Sequence, residues 1–265
     1  MSEQDARGLA DQLKGGRSAL TPALEGAFVA GGGAAIKALV AIISDETLLA
    51  ASEPEGWAPI HAVRLLARLR AYEAIPALTR ILDGAEDDDL VSAEVAQALR
   101  TLGTAALPSV ARFIAHTENP CGRALALEVV ANLRLDGVSL ETFTEVREVL
   151  ERLLLETDEP GLRVVLVEYL GEIGSLSSAQ TLLSAVERPM LTAREYDALR
   201  DALERMGVVC PDLYFDAEGK GYPLDDEKLP RCRACAARMI VDASGDLVHP
   251  GSACGGRAAD GRIER

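Results

Sequence analysis

Along the first 207 positions, apolar residues recur three and four apart in blocks of roughly ten to fifteen residues, the spacing of one face of an α-helix. The blocks come in pairs. Residues 57–84 (WAPIHAVRLLARLRAYEAIPALTRILDG) and 91–117 (VSAEVAQALRTLGTAALPSVARFIAHT) each hold an apolar helix, a break, and an A-[IL]-P lead into a second helix. Ala74 and Ala106 mark the same point, 32 residues apart. An earlier copy runs over 23–45 with Ala35-Ile36 in that place, and later copies run over 119–150 and 159–187. Pro59, Pro120 and Pro160 stand at the start of a first helix, where the missing amide hydrogen is not needed. Counting from each proline, the seventh position reads Leu66, Leu127 and Val167, and the tenth reads Leu69, Val130 and Leu170. These share a helical face and are predicted to be core. Asn119, with Glu118, Asp158 and Glu159, places a capping amide and carboxylates at helix N-termini. No pair of this kind buries its apolar faces alone, so the pairs must stack. The pattern predicts about five pairs and a terminal helix over 191–207.

Composition sharpens this. The 265 residues are 48% apolar, which excludes disorder, yet only 4% are aromatic. A sandwich or barrel needs more large aromatic and β-branched residues, whereas Ala and Leu suit closely packed helices. Acidic residues number 42 against 27 basic ones, for a net charge of -15. Nucleic acid and anionic lipid both require clustered Lys and Arg, so neither is an expected partner of the helical part. The N-terminal residues lack a basic region followed by an apolar run. The longest uncharged run, Ile173 to Val186, is too short and polar to span a bilayer. A soluble, cytoplasmic protein with no membrane partner is expected.

The repeat also resembles a known family. The pattern AxxALxxLGxxxAxPxLxxxL is that of HEAT repeats, in the short form related to phycobilisome-lyase-type repeats. It is clearest in AEVAQALRTLGTAALPSVARFI (93–114) and looser over 162–186. The resemblance implies a mainly α fold, a right-handed α-α superhelix, over about three quarters of the chain. Activity does not follow, because fold alone carries none. HEAT-like deoxyhypusine hydroxylases hold di-iron with His-Glu pairs; here His61, His116 and His249 are the only histidines and none precedes Glu. HEAT-like DNA glycosylases use a basic groove, but residues 1–231 carry 22 basic against 38 acidic side chains. Bilin lyases are compatible with the charge, though the repeat carries none of their chemistry. By the same resemblance the second helices line the concave face, which makes Lys37, Arg80, Arg112, Arg147 and Gln180 contact candidates.

The composition changes after Gly207. Tyr214, Phe215 and Tyr222 fall within PDLYFDAEGKGYPL, two extended segments around Glu218-Gly219-Lys220-Gly221, before an acidic DDEK run. Next comes Cys232-x2-Cys235, thirteen residues, His249, four residues, and Cys254. Met239-Ile240-Val241 and Leu247-Val248 read as short strands around a turn at Ser244-Gly245, a hairpin that brings the two ligand pairs together. Cys232, Cys235, His249 and Cys254 are therefore candidate ligands of one structural Zn2+ in a zinc-ribbon-like module. Two alternatives remain open: Cys210 in place of His249, or a reduced hairpin without metal. A thioredoxin-like CxxC lacks its βαβ context. The predicted domains are a helical repeat domain (1–207), an extended linker (208–231) and the zinc module with its tail (232–265).

Other features weigh less. Gly31-Gly32-Gly33 does not match the phosphate-loop spacing and reads as an inter-helix turn. Glu86-Asp87-Asp88-Asp89 reads as a solvated loop capping the next helix, or as an acidic contact for a basic partner. Trp57 reads as a packing residue, and His61 and His116 as surface or capping residues. No nucleophile-and-base arrangement is legible, so an enzyme is not expected. The expected function is a protein-binding adaptor or scaffold. The alternatives are a nucleic-acid-associated factor acting through the zinc ribbon, a lyase-type enzyme, and an acidic inhibitor or immunity protein.

Overall fold

The computed structural model describes residues 2–14, 19–52, 54–186, 191–208 and 210, together with four short strands. It is mainly helical and divides into two compact units, 1–150 and 151–265.

In the first unit, α1 (Glu3–Lys14) packs on α2 (Pro22–Ile43) and α4 (Trp57–Arg68), and α3 (Glu46–Leu49) is a single turn after α2. The layer continues through α6 (Leu90–Leu102) and α8 (Pro120–Leu135), each packed on the one before it. The shorter α5 (Ile75–Ile81) and α7 (Leu107–His116) pack on each other and on that layer. The division between the units falls within α9 (Thr144–Glu156). In the second unit, α10 (Pro160–Ile173) and α11 (Leu176–Val186) both pack on α12 (Ala193–Arg205). Among the described residues this makes five helix pairs and a terminal helix, counting the two halves of α2 as one pair. The helix α1 stands outside the repeat and was not legible from it.

The pairing follows from local signals. Within α2 the backbone at Gly32 takes φ 55°, ψ -136°, which breaks the helix between Pro22–Gly31 and Gly33–Ile43. The glycine run is therefore the inter-helix turn expected, reduced to a single residue in a conformation that side chains rarely adopt. In the next three pairs, 3-10 turns end at Ala74, Ala106 and Phe143, all fully buried, and the second helix starts at the following residue. Five of the six face positions counted from the prolines are buried; Leu69, at the C-cap of α4, is half-buried. Pro120 and Pro160 open α8 and α10, and Pro59 is the third residue of α4.

By length and composition α2 is apolar enough to cross a membrane, but it also has core packing: Phe28, Ala35, Leu39, Ile42 and Ile43 are buried. Beyond α12, strand β1 (Leu213–Phe215) pairs antiparallel with β2 (Gly221–Pro223). Likewise β3 (Ile240–Val241) pairs antiparallel with β4 (Leu247–Val248), matching Ile240 to Val248.

Candidate partner-binding surfaces

Successive first helices are tied edge to edge by ion pairs. Arg68 on α4 holds Glu25 on α2, Arg64 on α4 holds Glu94 on α6, and Arg100 on α6 holds Asp136 after α8 through two bonds of 2.8 and 2.7 Å. In the second unit Arg163 holds Glu195, and Arg205 holds Glu172 at 2.6 Å. The Arg64 and Arg100 guanidiniums hold the carboxyls of Glu94 and Asp136 below the usual carboxylate range. Burial raises the Glu195 carboxyl, but hydrogen bonds from Arg163 and Thr192 outweigh it and the net shift is downward. Side-chain exposure at Arg163 and Glu195 is 13% and 2%, so this pair is interior while the others are superficial.

The helix starts carry a device that the sequence reading did not isolate. Thr117-x2-Pro120-x2-Arg123 recurs forty residues later as Thr157-x2-Pro160-x2-Arg163. Thr117 Oγ1 accepts from the Asn119 amide at 3.1 Å, and Thr157 Oγ1 accepts from the Glu159 amide at 3.2 Å. The arginine then donates back to the threonine carbonyl, Arg123 to Thr117 and Arg163 to Thr157. The signal was present as two further positions conserved in register around prolines already noticed.

Asn119 caps α8 by accepting from the amides of Cys121 (2.9 Å) and Gly122 (3.1 Å). Its Nδ2 donates to the carbonyls of Asp83 and Ala85, both at 2.9 Å, which seats α8 on the preceding loop. Glu159 is the N-cap residue of α10 without a side-chain cap bond, so it places its carboxylate at that helix start as expected. In the acidic loop, Asp89 caps α6 by accepting from Val91 (2.9 Å) and Ser92 (3.3 Å). Asp87 accepts from the Cys121 thiol at 3.4 Å, which raises that thiol's pKa and keeps it protonated.

In the second unit a groove of about 480 Å³ lies between α10 and α12. Val164 and Ala202 are buried in its floor, and along its walls Glu168, Glu172, Asp197 and Asp201 stand exposed beside two arginines, Arg194 and Arg205. The helices approach closely at Gly171, where an added Cβ would sit 3.2 Å from Ala202 Cα. Arg205 engages Glu172, and Arg200 reaches Asp197 at 3.0 Å from outside the lining.

The contact candidates on second helices are not gathered into this groove. Arg80, Arg112 and Gln180 are exposed on α5, α7 and α11. Arg147 is half-buried and 3.4 Å from Thr144 Oγ1, and Lys37 is 3.3 Å from Glu3. His116 ends α7 with Nδ1 2.8 Å from the Arg112 carbonyl oxygen, a terminal position as expected. His61 corrects the surface reading: it is 3% exposed, stacked on Trp57 at 6.0 Å, and lines a cavity together with Leu13, Leu20 and Leu24. Cys210 is buried in the second unit. Cys232, Cys235, His249 and Cys254 lie outside the described residues, and no other group of three or more potential metal ligands occurs among those described.

No family model and no curated protein matches the chain. A solved structure of the complex of CpcE and CpcF of phycocyanin lyase from Nostoc sp. PCC7120 is similar at 21% identity, covering 77% of this chain and 86% of that one, with a TM-score of 0.31. That likeness is too loose to define the fold. The class rests on the chain itself, a mainly helical protein built of stacked helix pairs.

Proposed function

We propose that the chain is a protein-binding adaptor of the HEAT-like superhelical kind, and that the groove between α10 and α12 receives a basic segment of its partner. The observation that carries this is the groove: an apolar floor with walls that carry four exposed carboxylates against two arginines, a net negative lining. A solvent-facing cleft with one dominant sign of charge attracts the opposite sign and sets partner choice. The test is crosslinked capture from the native host with wild type and with Glu168→Lys/Asp201→Lys. A partner captured by wild type and lost by the variant, at equal helix content, supports the reading. A partner retained equally by both refutes the groove assignment.

The C-terminal part belongs to the same proposal as a small module, residues 232–265 after a linker at 208–231, folded around one Zn2+. Cys232, Cys235, His249 and Cys254 would hold it as three thiolates and one imidazole, a donor set suited to a closed structural site. The spacing and the antiparallel pairing of β3 with β4 support it. Such an ion stabilises a segment too short to bury a core of its own.

A further inference from the structure

The most apolar helix of the protein is also one of the least covered. An 18-residue window of α2 has mean hydropathy 1.9, yet only 33% of it is buried. Over its second half lies a groove of about 520 Å³, floored by Gly33, Ala34, Ile36 and Val40 and rimmed by Glu3, Lys37 and Glu73. Gly33 opens the second half of α2, directly after the break at Gly32. Its backbone does not need a left-handed conformation, unlike that of Gly32, and an added Cβ would meet nothing within 4 Å of its own chain. The chain therefore leaves open space beside Gly33, and a helix from outside can approach closely there.

We propose that this groove is a self-association surface, occupied by α2 of a second copy of the chain. The rim charges select that occupant. A basic partner would meet Lys37 and an acidic partner would meet Glu3 and Glu73, whereas a second copy brings both signs. In an isologous two-fold contact the same patch appears on both sides, so Lys37 of each copy faces a rim carboxylate of the other. The intramolecular pair of Lys37 with Glu3, at 3.3 Å, leaves the two side chains 77% and 69% exposed, and so superficial a pair exchanges partners at little cost. The small floor residues permit close approach, and an uncovered apolar face is where a partner helix gains most from packing. This goes beyond the adaptor reading, and it uses neither the α10–α12 groove nor the zinc ligands.

The experiment is sedimentation velocity on the full-length chain across a hundredfold range of concentration. Wild type is expected to pass from monomer to twice the monomer mass. Lys37→Glu, at an exposed position, should weaken association at least tenfold. Gly33→Gln should abolish it at unchanged helix content, since the chain itself leaves room for the side chain. Reversing the whole rim (Lys37→Glu with Glu3→Lys and Glu73→Lys) should restore it. The proposal is overturned if wild type stays monomeric throughout, or if Lys37→Glu and Gly33→Gln associate as tightly as wild type. Failure of the reversed rim to recover association overturns the two-fold pairing.

Discussion

Gly122 is where one added carbon should be felt most. It is buried in the first turn of α8, and an ideal Cβ there would lie 2.0 Å from the Leu82 carbonyl oxygen, 2.9 Å from its carbon and 3.1 Å from Phe113 Cζ. Real Cβ atoms essentially never come within 3.0 Å of a neighbour, so about 1 Å of displacement is required. The close atoms are the backbone carbonyl of Leu82, a fully buried residue in the turn after α5, so they cannot swing aside as a flexible side chain would. The alternative is to shift α8, which stretches the bonds from Asn119 to Asp83 and Ala85 and from Thr117 to Asp83, all at 2.9 Å. Overpacking of this kind costs about 1–3 kcal/mol, and each weakened bond adds up to about 1 kcal/mol. Alanine's better helix propensity returns at most about 1 kcal/mol. Gly122→Ala should therefore destabilise by about 2 kcal/mol and lower Tm by roughly 5 °C. Gly8→Ala is the control. It lies in the middle of α1 with nothing within 4 Å of its Cβ, and should stabilise by about 0.5–1 kcal/mol. Urea denaturation followed by circular dichroism reads both. A Gly122→Ala midpoint equal to or above wild type would refute the close approach.

Breaking the interior pair should cost more than breaking a superficial one. Glu195→Ala leaves Arg163 buried without its partner and removes the Thr192 capping box, an expected loss of about 3 kcal/mol in the same denaturation assay. Because the Glu195 carboxyl is held low in the folded state, its contribution is present above the unfolded-state pKa and fades as pH falls through the lower folded value. The acid limb of the stability profile should accordingly be shallower in Glu195→Gln than in wild type, and coincident profiles would count against the pair. Asn119→Ala removes the α8 cap and two bonds to the preceding loop, an expected loss of about 2 kcal/mol, whereas Arg100→Ala at the surface should leave the midpoint close to wild type. Metal analysis of the purified chain should find one zinc per chain, absent after Cys232→Ser, whereas a metal-free wild type purified without chelators would remove the zinc module from the proposal.

The arrangement of helices into pairs was legible because it is a local matter. Periodicity at three and four residues, prolines in first turns and a glycine run between two apolar blocks act over a few residues, and Pro120, Pro160 and Gly32 stand where those rules place them. The capping role of Asp89 was visible for the same reason. Only the fold could decide what depends on which helix lies beside which. His61 reads in sequence as a surface residue, but it is buried, stacked on Trp57 and lining a cavity with Leu13 of α1 and Leu24 of α2. The partners of Arg64, Arg100 and Arg163 lie 30 to 36 residues away, a separation that no local pattern encodes. The groove exists because α10 and α12 pack directly on each other, though α11 lies between them in sequence. Sequence alone determined that these residues form paired helices, since hydrogen bonding and capping are satisfied within a turn or two. The tertiary structure decided which charges are neutralised and which apolar surface stays open, because both depend on neighbours brought together from distant parts of the chain.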